Sequence, residues 1–266
     1  MEQTLPSCHF VPRPLATIKL WLILLTRELQ TRFGQYYLGY FWMFGQPVAH
    51  VIVLSAIFSF RGREALPGID LLMFIVTGVI PWFLFTNTTI QCSNAVNANK
   101  AFFSFQRIEV FDVLIARFLL EVFTNVNVAV CILFGAWWVG YNTYIDNFLG
   151  VMLHYGMIAL LGGSLGIIIS VGKSYVREVE RLIPILMRPL FFISAVFFSL
   201  HDIPTQYHGY LLWNPLLHMI ENIRYHYFAS LHSTYASTHY AAMCTLVILC
   251  LAMLLFYTNR HRLKAQ

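Results

Sequence analysis

The chain has 266 residues, 58% hydrophobic and only 11% charged, with a formal net charge of +5. Soluble domains carry about 25% charged residues, so this composition excludes an ordinary water-facing surface and calls for one that faces lipid. Fourteen of the 17 Lys and Arg fall in four of seven hydrophilic stretches, which alternate with the other three. The basic stretches hold Arg13, Lys19, Arg27 and Arg32; Lys100, Arg107 and Arg117; Lys173, Arg177, Arg181 and Arg188; and Arg260, Arg262 and Lys264. The intervening stretches hold Arg61 and Arg63, then none, then Arg224. Lys and Arg flanking spans stay in the cytoplasm, so the alternation predicts six spans with both termini inside. Because spans interrupt the basic residues, they do not read as a nucleic-acid surface.

The first residues, Met-Glu-Gln-Thr, do not begin a cleavable signal peptide: no basic n-region leads into an apolar core and cleavage site. Within residues 14–33 the apolar run from Leu20 to Leu25 is too short to cross a bilayer. Leu22, Leu25 and Leu29 recur at helical spacing while Arg27 and Arg32 point elsewhere, which predicts an amphipathic helix in the cytoplasmic interface. The alternative is an irregular tail. Six segments then approach the ~20 apolar residues that a crossing needs: residues 40–60, 71–92, 122–141, 148–171, 182–200 and 240–257. The fold class is therefore an all-α membrane protein with six transmembrane helices.

The stretch between the second and third spans carries Asn99, Lys100, Phe102, Phe103, Phe105, Arg107 and Phe111. Apolar rings on a short cytoplasmic segment imply a partner; the competing reading is a loop whose phenylalanines dip into lipid. Arg117 and Glu121 sit four apart near the start of the third span, so a local pair is one expectation for Arg117. Arg188 lies about two turns into the fifth, beside Pro184 and Pro189. Both arginines have a bland reading, snorkelling to inner headgroups, and a functional one, meeting an anionic headgroup from the inner leaflet. Gly162, Gly163 and Gly166 lie inside a span, where close helix packing explains them. His50 and His154 read as hydrogen-bonded core residues rather than proton relays.

The last outer stretch, about residues 201–239, is too apolar for a solvated loop. Trp213 leads into Asn214 and Pro215, an N-cap and first-turn pair. Leu216, Ile220, Ile223 and Tyr227 follow on one face, with His218, Glu221, Asn222 and Tyr225 on the other. Fourteen such residues reach about 21 Å, less than a bilayer, so the expectation is an outer re-entrant helical hairpin before the last span and an exit for a transported substrate. Glu221 and Arg224, three apart, form either part of that exit or a structural pair worth about 0.2–0.5 kcal/mol if exposed.

Phosphate-loop, HExxH and GxSxG motifs are missing, and Cys8, Cys92, Cys131, Cys244 and Cys250 show no metal-ligand spacing. No metal site and no catalytic residue is expected. Energy for active transport would come from another chain or an ion gradient, and spans nearly empty of carboxylates weaken the gradient. The aromatic share of 16% fits interfacial belts and is compatible with a conduit on which sugar rings stack. Different classes stay open: an ion-driven transporter, an autonomous channel, or a membrane glycosyltransferase. Scattered Asp70, Asp146 and Asp202 argue against the last.

Several pieces, in this order, resemble the membrane subunit of an ABC-2 type exporter. They are Arg27-Glu28-Leu29-Gln30-Thr31-Arg32-Phe33 with Leu38-Gly39-Tyr40-Phe41-Trp42 and Pro47; Gly78-Val79-Ile80-Pro81-Trp82-Phe83; Asn99-Lys100 leading to Arg107; Arg188-Pro189-Leu190-Phe191-Phe192-Ile193-Ser194; and Trp213-Asn214-Pro215-Leu216 with Glu221-Asn222-Ile223-Arg224. The chain is most similar to the branch exporting group 2 capsular polysaccharide; spacing alone does not separate O-antigen or teichoic-acid exporters. The resemblance implies a cytoplasmic tail and gate-forming interface helix over residues 1–39, with Arg27 and Arg32, and an ABC-2 transmembrane domain over 40–266. It implies a homodimer with the channel at its interface, and two ATP-binding subunits received on residues 99–107 and carrying the ATP and Mg. It also implies a lipid-linked acidic polysaccharide as substrate, periplasmic adaptor and outer-membrane partners, and a bacterial inner-membrane location.

Overall fold

Backbone in hydrocarbon must satisfy its own N–H and C=O groups, and every regular element among the described residues is helical. The computed structural model describes residues 26–28, 39–60, 68–100, 109–176, 178–231 and 235–264. The helices are α1 (Gly39–Phe60), α2 (Leu71–Ala98), α3 (Val110–Val139), α4 (Phe148–Tyr175) and α5 (Val179–Ile193), then α6 (His208–Leu211), α7 (Pro215–Tyr227) and α8 (Thr238–Lys264). Short 3₁₀ turns at Leu200–Asp202 and Thr205–Tyr207 precede α6. Residues 26–28 are helical; the rest of the expected interface helix, Arg32 included, lies outside the described residues.

Four helices, α2, α3, α4 and α8, are long and apolar enough to cross a membrane. Most outrun their expected spans at the end assigned to the cytoplasm: α2 continues to Ala98, α3 begins at Val110 and α8 ends at Lys264. Hydropathy marks only the part of a helix that lies in lipid, while the hydrogen-bond ladder continues past it. The fifth segment departs the other way. α5 has 15 residues, about 22 Å, and ends at Ile193. There Ser194 Oγ donates to Leu190 O at 2.6 Å, and Ala195 takes a left-handed φ of 56°, which breaks the ladder.

α2 forms the centre, packing on α1, α3, α4 and α7. Three of its buried hydroxyls bond within the helix, Thr77 to Phe74 O, Thr88 to Leu84 O and Thr89 to Phe85 O, so these donors are not stranded. The contact with α4 is close because that helix presents glycines. A Cβ at Gly162 would sit 2.2 Å from Thr88 Oγ1, and one at Gly166 would sit 2.8 Å from Thr89 O. Gly163 instead faces Phe118 of α3. α8 covers α4 and α7 from the other side. His154 is buried between α4 and α8, bonded to Gly150 O at 2.8 Å and Thr238 Oγ1 at 3.2 Å, as expected of a core histidine. His50 differs: it is exposed on α1, its Nδ1 bonded to Gln46 O at 3.0 Å and its ring edge-on to Phe83.

Replacing Gly166 with Val forces backbone apart at the α2–α4 seam. We expect detergent-purified protein to lose roughly 1–3 kcal/mol of stability, read as a lower thermal unfolding midpoint. Gly135→Ala, where nothing lies within 4 Å, should leave the midpoint unchanged or raise it.

Candidate functional site

The end of the bundle expected to face outward is built around one arginine. Asn214 caps α7, its Oδ1 accepting from Leu216 N at 3.0 Å, while its Nδ2 donates to Ser194 Oγ at 2.9 Å and Ile193 O at 3.3 Å. The start of α7 is thereby tied to the end of α5. Pro215 follows at the first helical position, where a missing N–H costs nothing. Trp213 is exposed, but its carbonyl accepts from Tyr240 OH at 2.8 Å. About two turns further, Glu221 and Arg224 pair at 3.1 Å with side chains 1% and 0% exposed. Arg224 Nη1 donates to Phe198 O at 2.7 Å, and Nη2 donates to Val196 O at 2.8 Å. The guanidinium carbon lies 3.9 Å from the centroid of the Phe74 ring on α2. Glu221 Oε2 accepts from Ser199 Oγ at 3.0 Å.

The apolar stripe Leu216, Ile220, Ile223 and Tyr227 is buried, and so are His218, Glu221 and Asn222 on the other face. His218 takes a hydrogen bond from Ser237 N at 2.9 Å on Nδ1 and so offers Nε2–H to Leu212 O at 2.8 Å. His218 and Glu221 thus bind the segments that fold over α7. Gly78 makes room for the cap: a Cβ there would lie 2.1 Å from Val196 O and 2.8 Å from Arg224 Nη2.

The opposite end of the bundle holds a second polar cluster. Arg27 Nη2 donates to Asn99 Oδ1 at 3.0 Å, and Asn99 Nδ2 donates to Ala95 O of α2 at 3.0 Å. Arg117 bonds Glu28, a partner 89 residues away, rather than forming the local pair with Glu121 that spacing suggested. The N-terminal segment is thus pinned to the last turn of α2 and the first turns of α3. Close by, Lys173 of α4 donates to Asn94 Oδ1 at 2.5 Å and Ser93 Oγ at 3.2 Å, with Glu180 of α5 at 3.8 Å; its position gave no sequence signal for this role. Lys100 is exposed beside Asn99. Phe102, Phe103, Phe105 and Arg107 lie outside the described residues.

Arg188 joins neither cluster. It is exposed on α5 and lines a cleft of about 350 Å³ with His50 of α1, Trp82 and Thr86 of α2, and Phe191 and Phe192. Trp82 lies near the middle of α2 and His50 near the middle of α1, so the cleft lies alongside the middles of these two helices. The structure therefore separates the expected site residues into an outer group, an inner group and a lone arginine between them.

Comparison with known proteins follows this geometry. Residues 19–228 match the ABC-2 type transporter family. The polysialic acid transport protein KpsM of Escherichia coli is 37% identical over 239 residues, covering 90% of this chain and 92% of that protein. The capsule polysaccharide export inner-membrane protein CtrC of Neisseria meningitidis is 28% identical, covering 86% and 87%. BexB of Haemophilus influenzae, a capsule polysaccharide export inner-membrane protein, is 26% identical, covering 87% and 88%. The chain belongs to the ABC-2 type transporter family.

Arg224 serves two backbone carbonyls as well as Glu221. Arg224→Ala should cost about 3–5 kcal/mol, the usual loss when one member of a buried ion pair is removed. If the pair alone mattered, neutralising both members (Glu221→Leu with Arg224→Met) would restore stability. We expect the double variant to remain roughly 1–3 kcal/mol or more below wild type, because Val196 and Phe198 carbonyls stay orphaned. Thermal unfolding in detergent measures both; an Arg224→Ala midpoint equal to wild type would remove the clamp.

Proposed function

We propose that this ABC-2 subunit is the permease of an ATP-driven exporter moving lipid-linked, acidic capsular polysaccharide across the bacterial inner membrane. Two copies enclose the conduit between them, along the face of α1 and α5. The observation that carries this reading is exposed Arg188 in a cleft alongside the middles of α1 and α2, with His50, Trp82 and Thr86. An arginine at the bilayer centre costs about 2.5–3.5 kcal/mol even on insertion scales, and such residues face a bundle interior or water-filled cavity. A second copy covering α1 and α5 supplies that cavity, and a cation within it suits a polyanion. Aromatic Trp82, Phe191 and Phe192 offer faces for sugar rings without tight binding. The names of the relatives, polysialic acid transport and capsule polysaccharide export, support the same substrate class.

The proposed topology has six crossings, α1 to α5 and α8, with both termini cytoplasmic. α5 is too short to span alone and is completed by the ordered turn 194–199. α6 and α7 dip back from the outer side as a re-entrant hairpin, allowed at depth because they pack on protein. Residues 1–39 form the tail and gate helix, with Arg27 and Arg32, and residues 40–266 the transmembrane domain. Two ATP-binding subunits, which hold the ATP and Mg, dock on residues 99–107, where Phe102, Phe103 and Phe105 with Lys100 and Arg107 form an apolar knob rimmed by charge. Arg117 and Arg188 stand where a lipid anchor or polymer enters, and Trp213, Asn214, Pro215, Glu221 and Arg224 shape the exit. Periplasmic adaptor and outer-membrane exporter partners receive the polymer.

Arg188→Gln should lower surface polysaccharide about tenfold, the scale of one lost charge contact of ~1.4 kcal/mol, while Arg188→Lys retains most of it. Normal export by the Gln variant, at normal membrane levels, contradicts the conduit placement. Phe103→Asp should abolish co-purification of the ATP-binding subunit, or leave hydrolysis running without export. Buried aromatics supply most of the energy at such contacts, and full retention of complex and export would move the coupling contact elsewhere.

A further inference from the structure

A groove opens between α3 and α8. At the cytoplasmic end it is a cleft of about 690 Å³, floored by Phe111, Phe256 and Tyr257 and rimmed by Arg260, His261 and Lys264. Glu109 also lines it, so the rim is basic with one acidic member. The rings of Phe111 and Phe256 meet at 5.7 Å, fixing the two helices there. A second, almost wholly apolar cleft of about 190 Å³ continues from it, lined by Leu114, Phe118, Gly163 and Leu249 among others. Phe111 and Met253 line both, so the two are one groove with a basic mouth and an apolar slot.

The dimensions match one leaflet. From Arg260 to Leu249 the groove follows α8 for about 16 Å, against a hydrocarbon half-thickness of ~15 Å. The apolar windows of α8 and α3 are only 17% and 28% buried, so both helices present most of their surface to lipid. Arg260, His261 and Lys264 are all exposed. Arg260 sits over the ring of Tyr257 with its guanidinium carbon 4.8 Å from the centroid, which aims it across the mouth. Basic pockets between spans on the cytoplasmic side hold anionic lipid headgroups.

We infer that this groove is a binding site for an anionic phospholipid of the cytoplasmic leaflet, with the phosphate between Arg260 and Lys264 and one acyl chain in the slot from Met253 to Leu249. Such a lipid would brace α8 against α3 where few side chains do so. The leaflet assignment rests on the proposed cytoplasmic C-terminus; the binding itself does not.

The experiment is native mass spectrometry of the detergent-purified complex with its ATP-binding subunit, titrated with phosphatidylglycerol or phosphatidylethanolamine. Wild type should retain phosphatidylglycerol preferentially. Arg260→Gln with Lys264→Gln should lower that retention about tenfold, leaving phosphatidylethanolamine unchanged. Met253→Trp, which fills the slot, should reduce retention of both lipids. Lys264→Gln alone, at an exposed position in the last turn, provides a variant that keeps the fold and should show part of the loss. Equal retention of the two lipids by wild type, or undiminished phosphatidylglycerol on the double variant, overturns the site. So does a wild-type complex that binds neither lipid because a second copy covers the groove. Surface labelling of an Arg262→Cys variant in intact cells would reverse the orientation without altering these detergent results, so the two failures are distinguishable.

Discussion

Arg224 decides how the outer half of the molecule is built. α5 stops at Ile193, and the chain turns through Ala195 to Ser199 with its backbone buried. Carbonyls in such a turn have no ladder to enter and little water to meet, so each needs a donor brought to it. A guanidinium supplies several in a fixed fork, and here it takes Val196 O and Phe198 O while Glu221 balances its charge. Ser199 closes the network on Glu221. An arginine on α7 thus sets the end of α5, the path of the cap and, through Phe74 and Gly78, the position of α2 beneath it.

The inner end uses the same residue types under different energetics. Arg27–Asn99, Glu28–Arg117 and Lys173–Asn94 link separate segments by one or two contacts each. Arg117 and Glu28 are each 12% exposed, so their attraction is weaker than that of the sealed pair above. The contrast gives the chain a rigid outer cap and an articulated inner rim. α2 joins them: Asn99 at its inner end is held by Arg27, and Phe74 at its outer end carries Arg224. Some 25 residues separate the two, about 37 Å of helix, most of it buried. α2 runs between the two ends as one continuous helix with Pro81 inside it.

How much of this was legible follows from the range of each signal. Apolar blocks, the alternation of basic stretches and the Asn214–Pro215 start are local, and the helices stand where those features placed them. The early end of α5 was not legible, because it is imposed by Arg224 some 30 residues downstream. The two faces of α7 were legible from their spacing, but the partners of His218 and Glu221 were not, because they come from loops distant in sequence. The partner of Arg117 was missed for a similar reason: Glu121 is near in sequence, but Glu28 is nearer in space. Residues 101–108 lie outside the described structure, so the proposed docking knob rests on sequence and family.

Arg224 and Arg188 show how one side chain divides structure from transport. Arg224 lies against the first turn of α2, and Arg188 beside the middle of that helix. Arg224 has its carbonyls, its carboxylate and its aromatic face within the same chain, and its exposure is zero. It has no freedom left to follow a moving polymer. Arg188 is exposed on a short helix that buries only Ile183, beside rings from α1 and α2. A cation placed so at depth is stable only when the surface around it is closed by protein and wetted from within. The single chain leaves that face open. In the proposed dimer, the assembly that closes this face would create the polar path through the membrane, and the cost of Arg188 in lipid would select the face along which two copies meet.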